Sequence, residues 1–217
     1  MAMSLIRNNN YKTVGEAGVD DGRGEGQLAW YQFAAQFCKG HEVIDVGCGL
    51  GGGLEALSKE AKTAYGIDLD ERLKKENIKI MPLSEVASKS VDTVVCIDVI
   101  EHVKEDLDFV EQLLRVARKQ VIISTPNYTA GRCRWPYHIR EYMPHELVNL
   151  FAGKGKSHLY KGTPGAEHVY KVKYPGIFSM FNKLRVSQVT GFGARCVNKI
   201  LPPRMKILNH LFIRVLL

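Results

Sequence analysis

Hydrophobic residues follow two alternating periods along this chain of 217 residues. Short apolar runs, which predict buried strands, lie near residues 42–47, 63–68, 78–80, 91–97 and 120–125. Apolar residues at the three- to four-residue spacing of a helix lie within residues 27–39, 104–118 and 144–151. Strands that alternate with helices form parallel βαβ units, so the pattern predicts an α/β fold around a mostly parallel sheet.

A β-hairpin is predicted after these units. Two short runs at residues 157–161 and 168–174 flank the sequence Gly-Thr-Pro-Gly, which is a turn signal. We therefore predict one core domain at residues 25–173, preceded by an N-terminal segment at residues 1–24.

The last segment, residues 174–217, is predicted to form a basic, apolar helical extension. It contains seven Lys and Arg residues and no acid. Lys206, His210 and Arg214 recur every four residues, as on one face of a helix. Such a helix can lie peripherally in an anionic membrane interface, or it can pack on the core or on a second subunit.

The segment Val43–Gly51, with the sequence VIDVGCGLG, combines an apolar strand, an acid and a glycine-rich turn. Gly47 and Gly49 allow backbone angles that other residues disfavour, and they let a ligand approach the main chain. Backbone N–H groups at such a turn favour an electron-rich ligand. The segment therefore predicts a site for a nucleotide-like cofactor.

Two fingerprints fit this turn. The dinucleotide fingerprint G-x-G-x-x-G is matched by Gly47, Gly49 and Gly52, with an acid about 20 residues further on. The second fingerprint, acid-x-G-x-G-x-G, is matched by Asp45, Gly47, Gly49 and Gly51. A carboxylate beside the turn suits a cofactor with an ammonium and a sulfonium group better than it suits a pyrophosphate. Asp45 therefore favours the second fingerprint.

Acids also follow two other predicted strands. Asp68 ends the strand near 63–68, where a carboxylate can accept hydrogen bonds from both hydroxyls of a ribose. The alternative is that Asp68 caps a helix beginning near Glu71. Asp98 ends the strand near 91–97. Ligands of open α/β sheets bind at the carboxyl ends of strands, so we expect these acids to line one pocket.

The motifs and their order resemble those of class I S-adenosylmethionine (SAM)-dependent methyltransferases, and especially the ubiquinone-pathway type. The matching segments are the glycine motif, Tyr65–Asp70, Asp98–Val103 (DVIEHV), Ser124–Asn127 (STPN) and His138–Tyr142 (HIREY). The resemblance covers about residues 25–173. It implies a Rossmann-like, doubly wound, seven-stranded sheet that is mostly parallel and has an antiparallel hairpin at its edge.

The same resemblance implies SAM as the cofactor. The residues predicted to bind it are Asp45, Gly47, Cys48, Gly49, Gly51, Asp68, Leu69, Met81, Asp98 and Val99. Cys48 is interpreted as a small residue between glycines and not as a nucleophile. Many relatives carry an acid near the adenine, whereas residues 80–83 offer none here. We therefore expect backbone and apolar contacts to recognise the adenine.

Methyl transfer to a hydroxyl benefits from a general base. The candidates for this base are His138, His102 and Glu141. In ubiquinone-type O-methyltransferases, the pattern formed here by Asp98, Glu101 and His102 is associated with a divalent metal, which predicts Mg²⁺ or a transition ion. The expected reaction is O-methylation of a small-molecule, glycan or lipid-linked acceptor.

Charge and composition leave other functions open. The net charge is +7, and residues 151–217 hold 12 Lys and Arg residues but a single acid, Glu167. A basic region of this kind can neutralise phosphates, so an RNA methyltransferase is an alternative. A NAD-dependent oxidoreductase and a non-catalytic SAM-binding module are further alternatives, the first disfavoured by Asp45.

The sequence begins without the apolar core of a signal peptide, and its five cysteines form no C-x-x-C pair, so we expect a cytoplasmic protein with reduced thiols.

Overall fold

The computed structural model describes residues 25–128, 137–163, 165–172, 199–201, 208 and 210–217. Its helices are α1 (Glu25–Ala35), α2 (Gly52–Ser58), α3 (Asp106–Val116) and α4 (Pro144–Asn149). Its strands are β1 (Glu42–Val46), β2 (Thr63–Asp68), β3 (Ile78–Ile80), β4 (Val91–Ile97), β5 (Ala117–Pro126), β6 (Lys156–Gly162), β7 (Val169–Val172) and β8 (His210–Leu216). Short 3₁₀ turns cover Glu71–Leu73, Leu83–Glu85 and Ile100–His102.

The strands form one sheet in the order β3-β2-β1-β4-β5-β8-β6-β7. Strands β1 to β5 are parallel to their neighbours within that group, whereas β8 runs antiparallel to both β5 and β6. The predicted hairpin is confirmed as β6 and β7, which pair antiparallel at the edge. The strand order reverses between β1 and β4, and their carboxyl ends border the crevice that binds ligands in sheets of this kind.

Apolar side chains cover both faces of the sheet. Helix α1 places Trp30, Tyr31 and Ala34 against one face, and all three are fully buried. Helix α3 covers the other face with residues spaced three and four apart, Phe109, Val110, Leu113 and Val116. The two-layer burial explains why the central strands are continuous apolar runs in the sequence.

The predicted C-terminal helix is wrong at residues 210–216, because these residues form β8 inside the sheet. A spacing of four is even, so residues that would line one face of a helix also share one face of a strand. Leu211, Ile213 and Val215 lie on one face of β8 and Phe212 lies on the other, and none of the four is exposed. The described residues thus contain eight strands, one more than predicted.

This correction also removes the apolar surface on which the predicted membrane contact depended, as far as residues 210–216 are concerned. In the ranges that the structure describes, no helix is both long enough and apolar enough to cross a bilayer. The predicted N-terminal segment 1–24 and Lys206 lie outside the described residues.

Candidate functional site

The glycine turn after β1 packs against the residue that follows β4. Gly47 has a φ of +72°, a left-handed conformation that favours glycine. A Cβ atom at this position would lie 2.6 Å from Cγ2 of Val99. The two predicted cofactor residues are therefore in direct contact at the reversal of strand order, and a side chain at position 47 would push the two strand ends apart.

Cys48 is confirmed as a packing residue within this turn. Its thiol is buried against β2, where a Cβ atom on Gly66 would lie 2.4 Å from Sγ of Cys48. Gly51 also has a positive φ of +79°, and a Cβ there would lie 2.9 Å from Cδ1 of Ile78. These contacts leave no room for larger residues, so the glycines shape the turn through close packing as well as through backbone angles.

Asp68 joins the turn to the end of β2. The backbone N–H of Gly49 donates a hydrogen bond to Oδ2 of Asp68 over 2.9 Å, and the N–H of Leu69 donates to Oδ1 over 2.7 Å. The N–H of Met81 donates to the carbonyl oxygen of Asp68 over 3.0 Å. The N-cap of the following 3₁₀ turn is Asp70, because its side chain accepts a hydrogen bond from the backbone N–H of Arg72. Asp68 therefore stabilises the turn instead of capping a helix.

Asp45 lies beneath the turn and is completely buried. The hydroxyl of Tyr31, on α1, donates to Oδ2 of Asp45 over 2.9 Å. The ring of Tyr31 also covers Gly53, where an added Cβ would lie 2.3 Å from the ring. The helical spacing within residues 27–39 gave no sign of this contact, because it does not show which strand residue a helix side chain meets. A cofactor role for Asp45 stays a prediction.

Asp98 follows β4 with a φ of +53°, which is uncommon for a residue other than glycine. The hydroxyl of Ser124 donates to Oδ1 of Asp98 over 2.8 Å. Nε2 of His210, at the start of β8, lies 3.0 Å from the same oxygen. The side chain of Asp98 is thus directed toward β5 and β8, and the contribution of His210 was missed because a helix was predicted there.

The three candidate bases lie near Glu101. Rings of His102 and His138 meet edge to face, with their centroids 4.9 Å apart. Nδ1 of His138 lies 3.3 Å from Oε1 of Glu141, and its Nε2 lies 4.0 Å from Oε1 of Glu101. The buried carboxylate of Glu101 accepts a hydrogen bond from the hydroxyl of Thr125 over 3.0 Å. The structure therefore brings the predicted bases together beside the carboxyl ends of β4 and β5.

The predicted metal set is only partly assembled. Glu101, His102 and His138 each offer a ligand atom within 4.8 Å of the others, whereas Asp98 belongs to no such cluster among the described residues. Asp98 contacts Ser124 instead, because its strained backbone turns it toward β5. One carboxylate and two imidazoles do not fit Mg²⁺, which prefers oxygen ligands.

Residues 137–142 are fastened to α3 and to the Glu101 segment. Tyr142 donates from its hydroxyl to Oδ2 of Asp106 over 2.9 Å, and the Arg140 guanidinium pairs with the same carboxylate. The N–H of Ile139 donates to the carbonyl oxygen of Glu101 over 2.8 Å. Burial and the Asp106 carboxylate raise the pKa of Tyr142, which keeps its hydroxyl a donor. These bonds fix His138 beside Glu101. The preceding residues, 129–136, lie outside the described residues.

A family model described as "Methionine biosynthesis protein MetW" matches residues 30–149, more than half of the chain. The chain belongs to the MetW family. The match runs from α1 to the end of α4 and includes the glycine turn and the strand-end acids described above. The family resemblance and the Rossmann-like fold predicted from the sequence are both confirmed.

Individual proteins with similar sequences carry methyltransferase names. A Mycolicibacterium smegmatis protein named "Probable S-adenosylmethionine-dependent methyltransferase" is 32% identical over 58% of this chain and 55% of its own length. A "Ubiquinone biosynthesis O-methyltransferase" from Paracidovorax citrulli is 29% identical over 48% of this chain and 51% of its own length. The chain thus spans about half the length of the curated relatives it matches.

The fold is shared with solved structures. A SAM-dependent methyltransferase from Archaeoglobus fulgidus superimposes with a TM-score of 0.58 at 17% identity, and the match covers 99% of both chains. At this identity the likeness establishes the fold alone. The matched fold extends over the C-terminal part of the chain, in agreement with the place of β8 in the sheet.

Proposed function

We propose that this chain binds SAM and transfers its methyl group to an acceptor. The observation that carries the proposal is the hydrogen bond from Gly49 to Asp68, which joins the glycine turn to a strand-end carboxylate beside the reversal of strand order. A turn and an acid linked in this way can hold an amino-acid group and a ribose at neighbouring positions. The methyltransferase names of similar proteins support the same conclusion.

The residues present fit SAM. Asp68 would accept hydrogen bonds from the ribose hydroxyls, and the turn at Gly47 and Gly49 would place backbone groups against the amino-acid part. Leu69 and Met81, both half-buried, would contact the adenine, since residues 80–83 contain no acid. When bound, SAM supplies a methyl group on a positively charged sulfur. The strand-end acids favour a cation over a pyrophosphate, which argues against NAD.

The acceptor is proposed to be a hydroxyl of a small molecule, a glycan or a lipid-linked compound. Methyl transfer is a direct displacement, so holding the acceptor oxygen in line with the methyl group supplies much of the acceleration. His138 is the proposed base, because Glu141 lies 3.3 Å from its Nδ1 and can stabilise the imidazolium that forms. The acceptor oxygen loses its proton to His138 as the carbon–oxygen bond forms. We expect this transfer not to require Mg²⁺, because the side chains beside Glu101 do not suit that ion.

Calorimetry with SAM, its demethylated product S-adenosylhomocysteine (SAH) and NAD⁺ tests the proposal. SAM and SAH should bind, and Asp68→Ala should weaken both by at least about tenfold, since hydrogen bonds to a charged group contribute about 1.5–3 kcal/mol. The matched control is Asp70→Ala, which removes a partly buried carboxylate paired with Arg72 two residues away. Binding of NAD⁺ without SAM or SAH would overturn the proposal.

A second assay tests the acceptor class and the base. Transfer of a labelled methyl group from SAM to 3,4-dihydroxybenzoate, a catechol chosen as a simple hydroxyl acceptor, would be measured for the unsubstituted protein and for His138→Ala. The substitution should lower the rate about 100-fold or more with little change in SAM affinity. A rate that is unchanged by the substitution would remove His138 from the mechanism.

A further inference from the structure

A buried histidine from the C-terminal strand lies at the reversal of strand order. His210 is 5% exposed, and its Nε2 lies 3.0 Å from Oδ1 of Asp98. The hydroxyl of Ser124 donates to the same carboxylate oxygen over 2.8 Å. Oδ1 of the carboxylate is thus contacted from both β5 and β8.

Topology explains how a residue so late in the chain reaches this position. Strand β8 is antiparallel to β5, so it begins at the end of the sheet where β5 finishes, and His210 pairs with Pro126 in the register. Asp98 stands at the same end, because it follows β4 directly and its N–H bonds the carbonyl oxygen of Ser124. The next residue, Val99, covers Gly47. Asp98 is therefore between the cofactor turn and His210.

The imidazole of His210 is itself held in place. It stacks on the indole of Trp30, with ring centroids 4.7 Å apart and planes inclined by 20°. Trp30 in turn covers Gly162, where an added Cβ would lie 2.7 Å from the indole. Neighbouring residues of α1 thus support two acids of the site, because Tyr31 contacts Asp45 and Trp30 contacts His210, which lies beside Asp98.

We propose that His210 is a positioning residue that holds the Asp98 carboxylate toward the sulfonium of bound SAM. This inference rests on the function proposed above. A carboxylate beside the sulfur attracts SAM, whose sulfur is positively charged, more than SAH, whose sulfur is neutral. The pair therefore raises the preference for the methyl donor over its product and eases product release after transfer.

Two substitutions of His210 separate positioning from packing. His210→Gln keeps a polar group near the place of Nε2, which lies 3.0 Å from Asp98, whereas His210→Phe keeps a flat ring for stacking on Trp30 and loses the polar group. Calorimetry gives the ratio of the SAH and SAM dissociation constants for each variant. His210→Phe should lower this ratio about threefold to tenfold, because the Asp98 carboxylate would no longer be held toward the sulfonium and their attraction, which is partly screened, would weaken. His210→Gln should stay within about twofold of the unsubstituted protein.

A thermodynamic cycle with Asp98→Asn shows whether the effect passes through Asp98. Asp98→Asn should itself lower the ratio about tenfold, and His210→Phe should then add nothing, because the charge it positions is gone. An equal effect of His210→Phe in both backgrounds, or none in either, would overturn the inference while leaving SAM binding intact. If neither SAM nor SAH binds the unsubstituted protein, the proposed function fails and the inference fails with it.

A measurement on the unsubstituted protein covers the case in which a variant does not fold. The ring signals of His210 in nuclear magnetic resonance spectra should differ between the SAM and SAH complexes, because the two ligands differ in charge next to Asp98. His158, on β6 opposite Arg214 in the register, is the internal control and should give the same signals in both complexes. Identical His210 signals in the two complexes would contradict the proposed position.

Discussion

The acids at the two ends of the sheet are held by different kinds of partner. At the amino end, Glu42 and Asp92 pair with the guanidinium of Arg118, and Lys119 also pairs with Asp92. At the carboxyl end, four acids that end or follow strands have hydroxyl, amide or imidazole contacts, namely Tyr31 to Asp45, Gly49 to Asp68, Ser124 and His210 to Asp98, and Thr125 to Glu101.

This difference separates stability from function. A guanidinium or ammonium partner neutralises a carboxylate, so an ion pair at the amino end has little charge left for a ligand. Hydroxyl and amide donors orient a carboxylate without adding a full positive charge. Their hydrogen bonds also make burial of the carboxylate less costly than it would be without a partner. The carboxyl end is therefore suited to a cationic ligand such as SAM, whereas the amino end links strands.

Strand β8 connects the two ends, so its loss should have the largest effect. Phe212 in its middle is fully buried and contacts the rings of Trp30, Phe33 and Tyr160. Phe212→Ala should lower the free energy of unfolding by about 3–5 kcal/mol, the usual cost of emptying an aromatic site in a core. Chemical denaturation measures the change. Leu217→Ala, at a side chain that is 43% exposed, is the control and should change stability by less than about 0.5 kcal/mol.

A stable Phe212→Ala variant would mean that β8 is not required for the sheet, and the connection between the two ends would be lost. It would also revive the helical interpretation of residues 210–216.

The sequence was sufficient to predict the part of the fold that local patterns determine. The parallel strands are buried on both faces, and burial of this kind leaves continuous apolar runs such as Val91–Ile97. The glycine turn was predictable because positive φ angles at Gly47 and Gly51 demand glycine. Parallel strands also place their final residues at one edge, which is why Asp68 and Asp98 were expected near a common site.

The rest depends on contacts between residues far apart in the sequence. The spacing of His210 and Arg214 fits a helix and a strand equally well, and only pairing with β5 and β6 decides between them. Tyr31 contacts Asp45 through packing of α1 on the sheet, for which the sequence gives no local sign. The metal prediction included Asp98 because the resemblance associates its pattern with a metal, whereas in the structure Oδ1 of Asp98 accepts a hydrogen bond from Ser124.

Two glycines at opposite ends of β1 have similar positive φ angles, so substituting each of them tests how the two ends of the sheet differ. Gly40, before the strand, has a φ of +70° and nothing within 4 Å of an added Cβ, whereas Gly47, after it, has a φ of +72° and Val99 in the way. Gly40→Ala should cost about 1–2 kcal/mol for its left-handed backbone alone. Gly47→Ala adds overpacking and should cost about 2–4 kcal/mol in total.

The same pair separates stability from ligand binding. Thermal unfolding would give the stability of both variants, and calorimetry would give their affinity for SAM. Only Gly47→Ala should reduce SAM affinity, because only its added methyl group displaces the strand end beside the cofactor turn. Equal losses of SAM affinity would indicate that the turn after β1 has no special part in binding.

Removing a single hydrogen-bond or ion-pair donor to a carboxylate should also lower the free energy of unfolding by different amounts at the two ends of the sheet. Tyr31→Phe removes a hydroxyl from a carboxylate that is fully buried, which should cost about 1–3 kcal/mol. Lys62→Met removes the exposed ammonium that lies 3.2 Å from Glu42, a surface contact that should contribute much less to stability than the buried hydroxyl does. Urea denaturation of both variants measures the contrast. Similar losses would show that the acids at the two ends are held with equal strength.

The smallest effect is expected from the pH dependence of Asp92. Burial raises the pKa of this carboxyl, but the Glu42 amide, Arg118 and Lys119 outweigh burial and lower it from 3.8 to about 2. A carboxyl with a lowered pKa stabilises the fold at pH values above its unfolded pKa, and this contribution is lost as the pH falls from about 4 to about 2. After allowance for screening of the exposed Lys119, the contribution is about 1 kcal/mol.

Asp92→Asn should therefore lower the free energy of unfolding by that amount at pH 7 and by almost nothing at pH 2. Urea titrations across this range, with Glu76→Gln at an exposed side chain as the control, would show the convergence, and a constant difference at every pH would mean that Asp92 acts through packing and not through its charge.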